Sequence, residues 1–274
     1  MNIQQLKAML MESTFDLQTF CDVHPKKRLV QFEGRTVCWI CEADKQTALL
    51  SEQLHAEHAE RLARKSYHML RKQSVLKDET LVNASFKTYT DNVTPGTEEF
   101  FNKEQALKAC NAYRKDAEPF NTWFTGDTGV GKSHLAMAML HALNETDGQH
   151  RSCLFVDIDE ALRRVRQSFS DTDSTFTEGY LVDMMSDVDF LVIDDIGAET
   201  GNIATDKVAS DFVSRIIRAV LNARQHKSTI FTTNLTRAQL ERVYDKKLVS
   251  RAMRDVFLIK FEHAVDKRVR KKVM

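Results

Sequence analysis

The chain has 274 residues, 42% of them hydrophobic, which is enough for a large domain with its own core and a second, smaller one. Its 39 basic and 39 acidic residues give a formal net charge of zero, which excludes a global positive field for attracting nucleic acid. The clearest local basic patch, residues 266–272, is either a phosphate contact or a solvated tail. No apolar run approaches the roughly 18 residues of a membrane helix, and no export signal is present. We therefore expect a cytoplasmic protein that contacts no membrane.

The first segments of the chain predict a helix followed by a metal site. Residues 2–20 place apolar side chains at helical spacing and predict a short amphipathic helix. Cys21 and His24 follow, and then Cys38 and Cys41, in a C-x2-H and C-x2-C arrangement. Three thiolates and one imidazole in two close pairs are typical ligands of a structural Zn²⁺. A domain of this size cannot bury enough apolar area to fold alone, so we assign the metal a structural role.

The segment between the two ligand pairs predicts a β-hairpin. Leu29–Phe32 and Thr36–Val37 have strand character, and Glu33–Gly34 provides the turn. An alternative is that Cys38 and Cys41 form a redox pair, but no βαβ pattern surrounds them. Unrelated cysteines are the remaining possibility.

A long charged segment joins this module to the rest of the chain. Residues 42–76 contain no Gly or Pro and predict a long helix, which is either an arm for a partner protein or a spacer. The helical period is lost after this helix, and Asp, Asn, Thr and a Pro-Gly pair accumulate. We therefore divide the chain into residues 1–77, a zinc-binding interaction domain with the long helix, a linker at 78–96, and a larger domain at 97–274.

A phosphate-binding loop dominates the larger domain. Residues 126–133 fit G-x4-G-K-[ST], in which backbone N–H groups surround a triphosphate, the lysine reaches the β- and γ-phosphates, and the hydroxyl holds Mg²⁺. A short apolar strand, Thr122–Thr125, leads into the loop, and a helix beginning at Ser133 follows it. The alternative is a glycine-rich surface loop. We assign nucleotide contact to Gly126, Asp127, Thr128, Gly129, Val130, Gly131, Lys132, Ser133 and His134.

Two later strands end in polar residues. Residues 189–197 predict a buried parallel strand that delivers Asp194 to the sheet edge where such sheets bind ligands. Asp194 is expected to hold the Mg²⁺ shell and Asp195 to polarise the attacking water. Residues 228–234 form a β-branched strand that ends in Asn234. Because Thr236 and Gln239 already supply a capping box for the next helix, Asn234 remains available to touch the γ-phosphate or position water.

Two groups of arginines are candidates for other contacts. The predicted helix at residues 159–169 carries Arg163, Arg164 and Arg166, which either line a nucleic-acid path or are solvated. Arg251 lies far from the phosphate loop in sequence and is either a solvated helix residue or an arginine finger that completes the site of a neighbouring subunit, with Arg254 as the second candidate for that role.

In this order, the elements resemble the AAA+ ATPases of the DnaC/DnaI helicase-loader type, which includes phage-encoded versions. The resemblance covers roughly residues 80–262 and rests on these four motifs: Gly126–Ser133, Asp194-Asp195-Ile196-Gly197, Thr233-Asn234-Leu235-Thr236 and Ser250-Arg251-Ala252-Met253-Arg254. It implies an α/β fold, an AAA+ P-loop core with a parallel sheet flanked by helices, preceded by a small zinc-binding domain and long helix. Family roles carry over to this chain as follows: Lys132 binds phosphate, Ser133 and Asp194 hold Mg²⁺, Asp195 is the catalytic carboxylate, Asn234 the sensor and Arg251 the finger.

The resemblance also implies a function. An ATPase of this type binds ATP or ADP with Mg²⁺, assembles through its ATP sites, holds a hexameric replicative helicase through its N-terminal zinc domain and delivers it onto single-stranded DNA at replication initiation. A transposition helper ATPase of the IstB type shares the core but is not expected to carry the zinc module. A third hypothesis is a zinc-dependent adaptor whose nucleotide site is only structural.

Overall fold

The computed structural model describes residues 14–32, 34–90, 93–115, 118–145, 151–171, 173–198, 209–264 and 266. The chain divides into two compact units, residues 1–62 and 63–274. The first part of the predicted helix, residues 2–13, and the basic residues 267–272 lie outside the described residues. None of the described helices combines the length and apolarity that spanning a bilayer requires.

The N-terminal unit contains a three-stranded antiparallel sheet. Its strands pair in the order β1 (Thr14–Phe20), β2 (Arg28–Phe32) and β3 (Arg35–Val37). Strands β2 and β3 confirm the predicted hairpin, and Gly34 turns between them with a φ of 75°. A helix of 34 residues, α1 (Trp39–Lys72), follows at once and confirms the predicted long helix.

The prediction of a helix through residue 20 is wrong for residues 14–20. These residues form β1, and Phe15 pairs with Val30 across the sheet. The sequence Thr-Phe-Asp-Leu-Gln also alternates polar and apolar residues with a period of two, which suits a strand. The sequence of these residues fits both a helix and a strand. Pairing with β2 supplies backbone hydrogen bonds that favour the strand.

The larger unit is built on a five-stranded parallel sheet, which confirms the predicted α/β class. The strand order is β5-β6-β7-β4-β8, and all neighbouring strands are parallel. The strands are β4 (Asn121–Gly126), β5 (Cys153–Asp157), β6 (Phe190–Asp194), β7 (Thr229–Thr233) and β8 (Val256–Phe261).

Helices precede and connect these strands. A short 3₁₀ helix occupies Glu79–Asn83. The helices are α2 (Phe86–Thr90), α3 (Glu98–Arg114), α4 (Lys132–Asn144), α5 (Ile158–Ser168), α6 (Glu178–Asp187), α7 (Asp211–Ala223), α8 (Arg237–Val243) and α9 (Lys246–Ala252). The sequence analysis does not predict the 3₁₀ helix, α2, α6 or α7, and the first two of these lie in the predicted linker. The predicted capping box of Thr236 and Gln239 is confirmed at the start of α8.

Two apolar clusters lie on the two faces of the sheet. Successive strand residues enter different clusters, because side chains alternate between faces. One cluster joins Leu154, Val156, Leu191 and Ile193 to α5, α6 and α7. The other joins Phe124, Phe155 and Val192 to α3 and α4. Burial on both faces explains why the strands are continuous apolar runs.

Candidate functional site

A cavity of about 930 Å³ lies where the central parallel strands end. The loop after β4, Asp157 at the end of β5, Asp194 at the end of β6 and Asn234 after β7 all reach it. Ligands bind at the carboxyl ends of the strands in open parallel sheets. The topology therefore brings residues that are more than 100 positions apart to one place.

The loop between β4 and α4 has the geometry of a phosphate cradle. Gly131 has a φ of 104°, and a Cβ at this position would lie 2.9 Å from the Tyr89 ring. Only glycine therefore fits here. Helix α4 starts directly after Gly131, so its N-terminal N–H groups and dipole face the loop, which favours an anion.

Lys132, Asn234 and Asp195 form a continuous hydrogen-bonded chain. Lys132 is 6% exposed, and its Nζ donates to Asn234 Oδ1 at 2.6 Å. The same Nζ donates to the carbonyl oxygens of Gly126 at 2.9 Å and Asp127 at 2.6 Å. Asn234 Nδ2 donates to Asp195 Oδ1 at 3.0 Å. The structure thus brings three of the four residues with predicted catalytic roles into one network.

Asp194 and Ser133 form the predicted Mg²⁺ pair. Asp194 is 5% exposed, accepts a hydrogen bond from Thr232 Oγ1 at 2.6 Å and is hydrogen-bonded to the Ser133 side chain. Burial raises the pKa of Asp194 to about 6; the hydrogen bonds oppose the rise, and the carboxylates of Asp195 and Asp157 add to it. An oxygen donor set of a hydroxyl and a carboxylate beside a phosphate cradle fits Mg²⁺.

The other predicted nucleotide-binding residues divide into two groups. Thr128, Gly129, Gly131, Ser133 and His134 line the cavity beside Lys132. Val130 is buried in an apolar cluster instead, and Gly126 and Asp127 supply carbonyl oxygens to Lys132.

His134 also holds the segment that precedes α3. Its Nε2 lies 3.0 Å from Thr88 Oγ1 and 3.1 Å from the Ser85 carbonyl oxygen. The lining residues that the sequence analysis does not predict as site residues include Lys77, Asp78, Thr80, Leu81, Thr88, Phe155, Asp157 and Thr232. Asp157 ends an apolar strand as Asp194 does, and that pattern could have identified it.

Arg251 does not lie at the cavity of its own chain. It is exposed on α9, where its Nη1 donates to Asn222 Oδ1 at 2.6 Å, and it borders two other cavities. The fourth predicted catalytic residue is therefore separate from the other three.

The four predicted zinc ligands come together in the N-terminal unit. One donor atom from each of Cys21, His24, Cys38 and Cys41 lies within 4.8 Å of all the others. His24 Nδ1 is 3.3 Å from Cys41 Sγ and 3.7 Å from Cys38 Sγ, and all four groups are held by the turn after β1 and the start of α1. Three soft thiols and one imidazole at this spacing fit tetrahedral Zn²⁺.

The contacts within the cluster shift the pKa values of two of its thiols in opposite directions. Burial favours a raised pKa for the Cys21 thiol, but hydrogen bonds with His24 and Cys41 outweigh it and lower the pKa to about 6. The hydrogen bond to Cys21, together with burial and Cys38, raises the pKa of Cys41 to about 12. His24 Nε2 lies 3.8 Å from Asp44 Oδ2, so a carboxylate can orient the ring from its far side.

A third surface combines arginines with aromatic rings. The guanidinium of Arg164 lies 5.9 Å from the Phe176 ring centre, and those of Arg166 and Arg215 lie 5.7 Å from the Phe212 ring centre. Phe169 contacts Phe212 edge to face and is 68% exposed. We call these six residues the arginine-aromatic surface.

Comparisons with known proteins agree with this architecture. A family model described as IstB-like ATP binding protein matches residues 42–270. The replicative helicase loader DnaC of Buchnera aphidicola subsp. Schizaphis graminum is 28% identical over 183 residues, which cover 63% of this chain and 64% of that protein. The chain thus spans less than two thirds of that relative.

Solved structures share the fold. A crystal structure of the DnaC helicase loader has a TM-score of 0.52 and 24% identity, and covers 68% of this chain and 100% of that chain. A putative primosome component from Streptococcus pyogenes serotype M3 has a TM-score of 0.52 and 21% identity, covering 71% and 93%.

Proposed function

Since this chain belongs to the family of IstB-like ATP binding proteins, we propose that it is a helicase loader of the DnaC type that hydrolyses ATP. In this proposal it holds a hexameric replicative helicase through its N-terminal zinc domain and delivers the helicase onto single-stranded DNA at replication initiation. The domain division is residues 1–77 for helicase contact, a linker at 78–96 and an ATPase domain at 97–274.

The observation that carries the proposal is the hydrogen-bonded chain from Lys132 through Asn234 to Asp195 at the phosphate loop. Lys132 would exchange its loop carbonyls for the β- and γ-phosphates of ATP. Asp195 would accept a proton from the attacking water, and Asn234 would hold that water and the γ-phosphate in line. Mg²⁺ bound by Ser133 and Asp194 would neutralise charge that develops on the phosphates.

The position of Arg251 supports assembly through the ATP sites. The side chain is exposed and does not reach its own cavity, so a contribution to phosphate chemistry requires a second copy of the chain. An arginine finger supplied by a neighbour stabilises transition-state charge and couples hydrolysis to assembly.

The N-terminal unit offers a surface suited to a partner protein. Exposed leucines along α1 are costly in water unless a partner covers them. They are Leu49, Leu50, Leu54 and Leu62, each 45% to 57% exposed. Zinc would fix the fold of the short sheet beside the start of this helix.

The arginine-aromatic surface supports contact with single-stranded DNA. Phe169, the exposed ring of this surface, can stack on a base without requiring a particular sequence. Arg164 and Arg215 would exchange their carboxylate partners, Glu160 and Glu178, for phosphates of the strand. This combination supplies the local patch that a chain of zero net charge needs.

One observation favours a second candidate. The family model that matches residues 42–270 carries the description IstB-like ATP binding protein. A transposition helper of the IstB type is therefore the second candidate function. The Cys/His cluster at residues 21–41 lies outside that match and favours the loader.

The first test concerns the ATP site of the full-length protein. We expect Lys132→Ala to abolish ATP binding, whereas Asp195→Asn keeps binding and loses about 100-fold or more in turnover because the general base is gone. Asp187→Asn, which changes an exposed carboxylate at the C-terminal end of α6, is the matched control and should hydrolyse ATP as the wild type does. Equal turnover in all four proteins would contradict the assigned roles, and binding without turnover in the wild type would favour the adaptor hypothesis.

The second part of the test identifies the partner. Immobilised full-length protein that has been loaded with zinc should retain the replicative helicase and release it when the zinc is chelated. In solution with ATP, the protein should increase the amount of helicase bound to circular single-stranded DNA. Retention of a transposase in place of the helicase would assign the chain to the IstB type.

A further inference from the structure

The residues that follow α1 extend the edge of the parallel sheet. Val75 is 1% exposed and forms a parallel bridge with Val156 of β5. Its N–H donates to the Phe155 carbonyl oxygen at 2.8 Å, and its carbonyl oxygen accepts from the Asp157 N–H at 2.8 Å. Ser74 Oγ accepts from the Phe155 N–H at 3.0 Å. The end of the long helix is therefore tied to the strand that carries Asp157 into the nucleotide cavity.

Two residues later, Lys77 enters the same cavity. Among the described residues that line it, the lysines are Lys77 and Lys132. Lys77 Nζ lies 3.4 Å from Asp159 Oδ2, and both side chains are largely exposed. An exposed pair at this distance is held weakly, so the ammonium can turn to a stronger anion.

Lys77 shares the cavity with carboxylates at the strand ends. Val75 bridges the outer edge of β5, so Lys77 lies on that side of Asp157, and Asp194 lies in register with Asp157 on the next strand inward, followed by Asp195. Burial raises the pKa of Asp157, and the Lys77 charge is one of the influences that oppose the rise. Three carboxylates on one wall repel a triphosphate, and a second lysine on that wall offsets the repulsion.

We propose that Lys77 contacts the terminal phosphate of bound ATP and that this contact, transmitted through Val75, stabilises the last turn of α1 in the ATP state. Lys77 is a nucleotide-positioning residue in this scheme. ADP lacks the phosphate that Lys77 reaches, so the last turn of α1 distinguishes the two nucleotides. Leu70, in the last turn of α1, is buried in the apolar cluster that includes α3 and α4.

The inference rests on the proposed ATP site, and the experiment separates the two. Affinities for ADP and for a non-hydrolysable ATP analogue are measured on full-length wild type, Lys77→Ala, Lys77→Arg and the control Lys72→Ala, an exposed lysine of α1 outside the cavity. We expect Lys77→Ala to weaken analogue binding about tenfold, as the loss of one charge-assisted hydrogen bond does, and ADP binding less than twofold. Lys77→Arg should restore most of the preference, and Lys72→Ala should match the wild type.

Hydrogen exchange tests the link to the helix. Peptides that cover residues 70–78 should exchange more slowly with the analogue than with ADP in the wild type, and equally with both nucleotides in Lys77→Ala. If Lys77→Ala preferred the ATP analogue over ADP as strongly as the wild type does, the role of Lys77 would be overturned. It would also be overturned if the substitution weakened the affinities for both nucleotides equally. Unchanged nucleotide binding in Lys132→Ala would instead overturn the ATP site itself.

Discussion

Asp194 holds a carboxylate in a position that is 95% covered by the protein, at the end of β6. Burial raises its pKa to about 6, whereas an aspartate in an unfolded chain has a pKa of about 3.9. Folding therefore takes up a proton between these values, and the stability of the chain without ligands falls as the pH rises from about 4 to about 6. Above pH 6 the buried charge destabilises the native state by at most about 3 kcal/mol.

The direction of this pH dependence of stability gives a test at the level of a single residue. Asp194→Asn should melt higher than wild type at pH 8, by about 3–8 °C, because the amide removes the buried charge and keeps an oxygen for Thr232. The difference should roughly halve at pH 5, where the wild-type carboxyl holds its proton. Thermal unfolding followed by circular dichroism, without nucleotide or Mg²⁺, measures both values.

The exposed Asp187→Asn serves as the control and should match the wild type at both pH values. A difference between Asp194→Asn and wild type that does not change with pH would show that burial of the charge is not its cause. The same substitution should reduce Mg²⁺-dependent hydrolysis, so stability and function oppose each other at this residue.

At the level of elements, the β1-β2-β3 sheet has almost no apolar core of its own. Among the described residues of the N-terminal unit, the buried ones are Cys21, Val30 and Cys38, and two of these three are predicted ligands. The strands are seven, five and three residues long, which is too little to bury the area that an independent fold needs. A metal bound by the Cys/His cluster would supply what the core lacks.

We therefore expect one zinc ion per chain in the wild type and almost none in Cys38→Ser or His24→Ala, measured by elemental analysis. Chelation should remove the β-sheet contribution and leave the melting transition of the larger unit in place, because the ligands all belong to residues 1–62. His58→Ala, on the exposed surface of α1, is the matched control. Full zinc content in Cys38→Ser would contradict the assigned ligand set.

Local sequence signals were sufficient for the elements with strong local patterns. Strands β5 and β6 are continuous apolar runs, and α8 begins with a side-chain capping box that its own residues complete. The start of α5 shows the limit of such reasoning. The predicted helix begins at Asp159, whereas α5 begins at Ile158 and is capped by Asp157 at the end of β5, whose carboxylate accepts the Glu160 N–H. Asp157 is both the last residue of the strand and the N-cap of the helix, so no loop residues mark the boundary between them.

Elements that depend on distant partners were not predictable. β1 exists because Phe15 pairs with Val30. Helix α7 is a different case, because its buried residues recur at helical spacing after the Ser210 N-cap, and the sequence analysis missed this local pattern. The same contrast holds in the site. The phosphate loop and the ends of β6 and β7 form local motifs, whereas Lys77 and Thr88 reach the cavity through contacts such as the one between Ser85 and His134, 49 positions apart.

At the scale of the whole molecule, the chain carries no net charge, yet its charged residues are segregated. The nucleotide cavity is lined by four carboxylates, Asp78, Asp157, Asp194 and Asp195, against two lysines, Lys77 and Lys132. The cavity beside Arg251 is lined by Arg218, Lys246 and Lys247 with a single carboxylate, Asp245. Surfaces of opposite charge on one chain favour head-to-tail contact between copies, which repeats without using either surface twice.

If Arg251 acts in a neighbour's site, two inactive variants should complement each other. Lys132→Ala lacks the phosphate ligand and Arg251→Ala lacks the finger, and each alone should lose about 10³-fold in turnover. In an equal mixture, about a quarter of random head-to-tail interfaces join an intact Lys132 to an intact Arg251, so turnover should recover to about a quarter of wild type. The exposed Arg242→Ala should be fully active alone. Absence of recovery at every mixing ratio would mean that the site is completed within one chain or without Arg251.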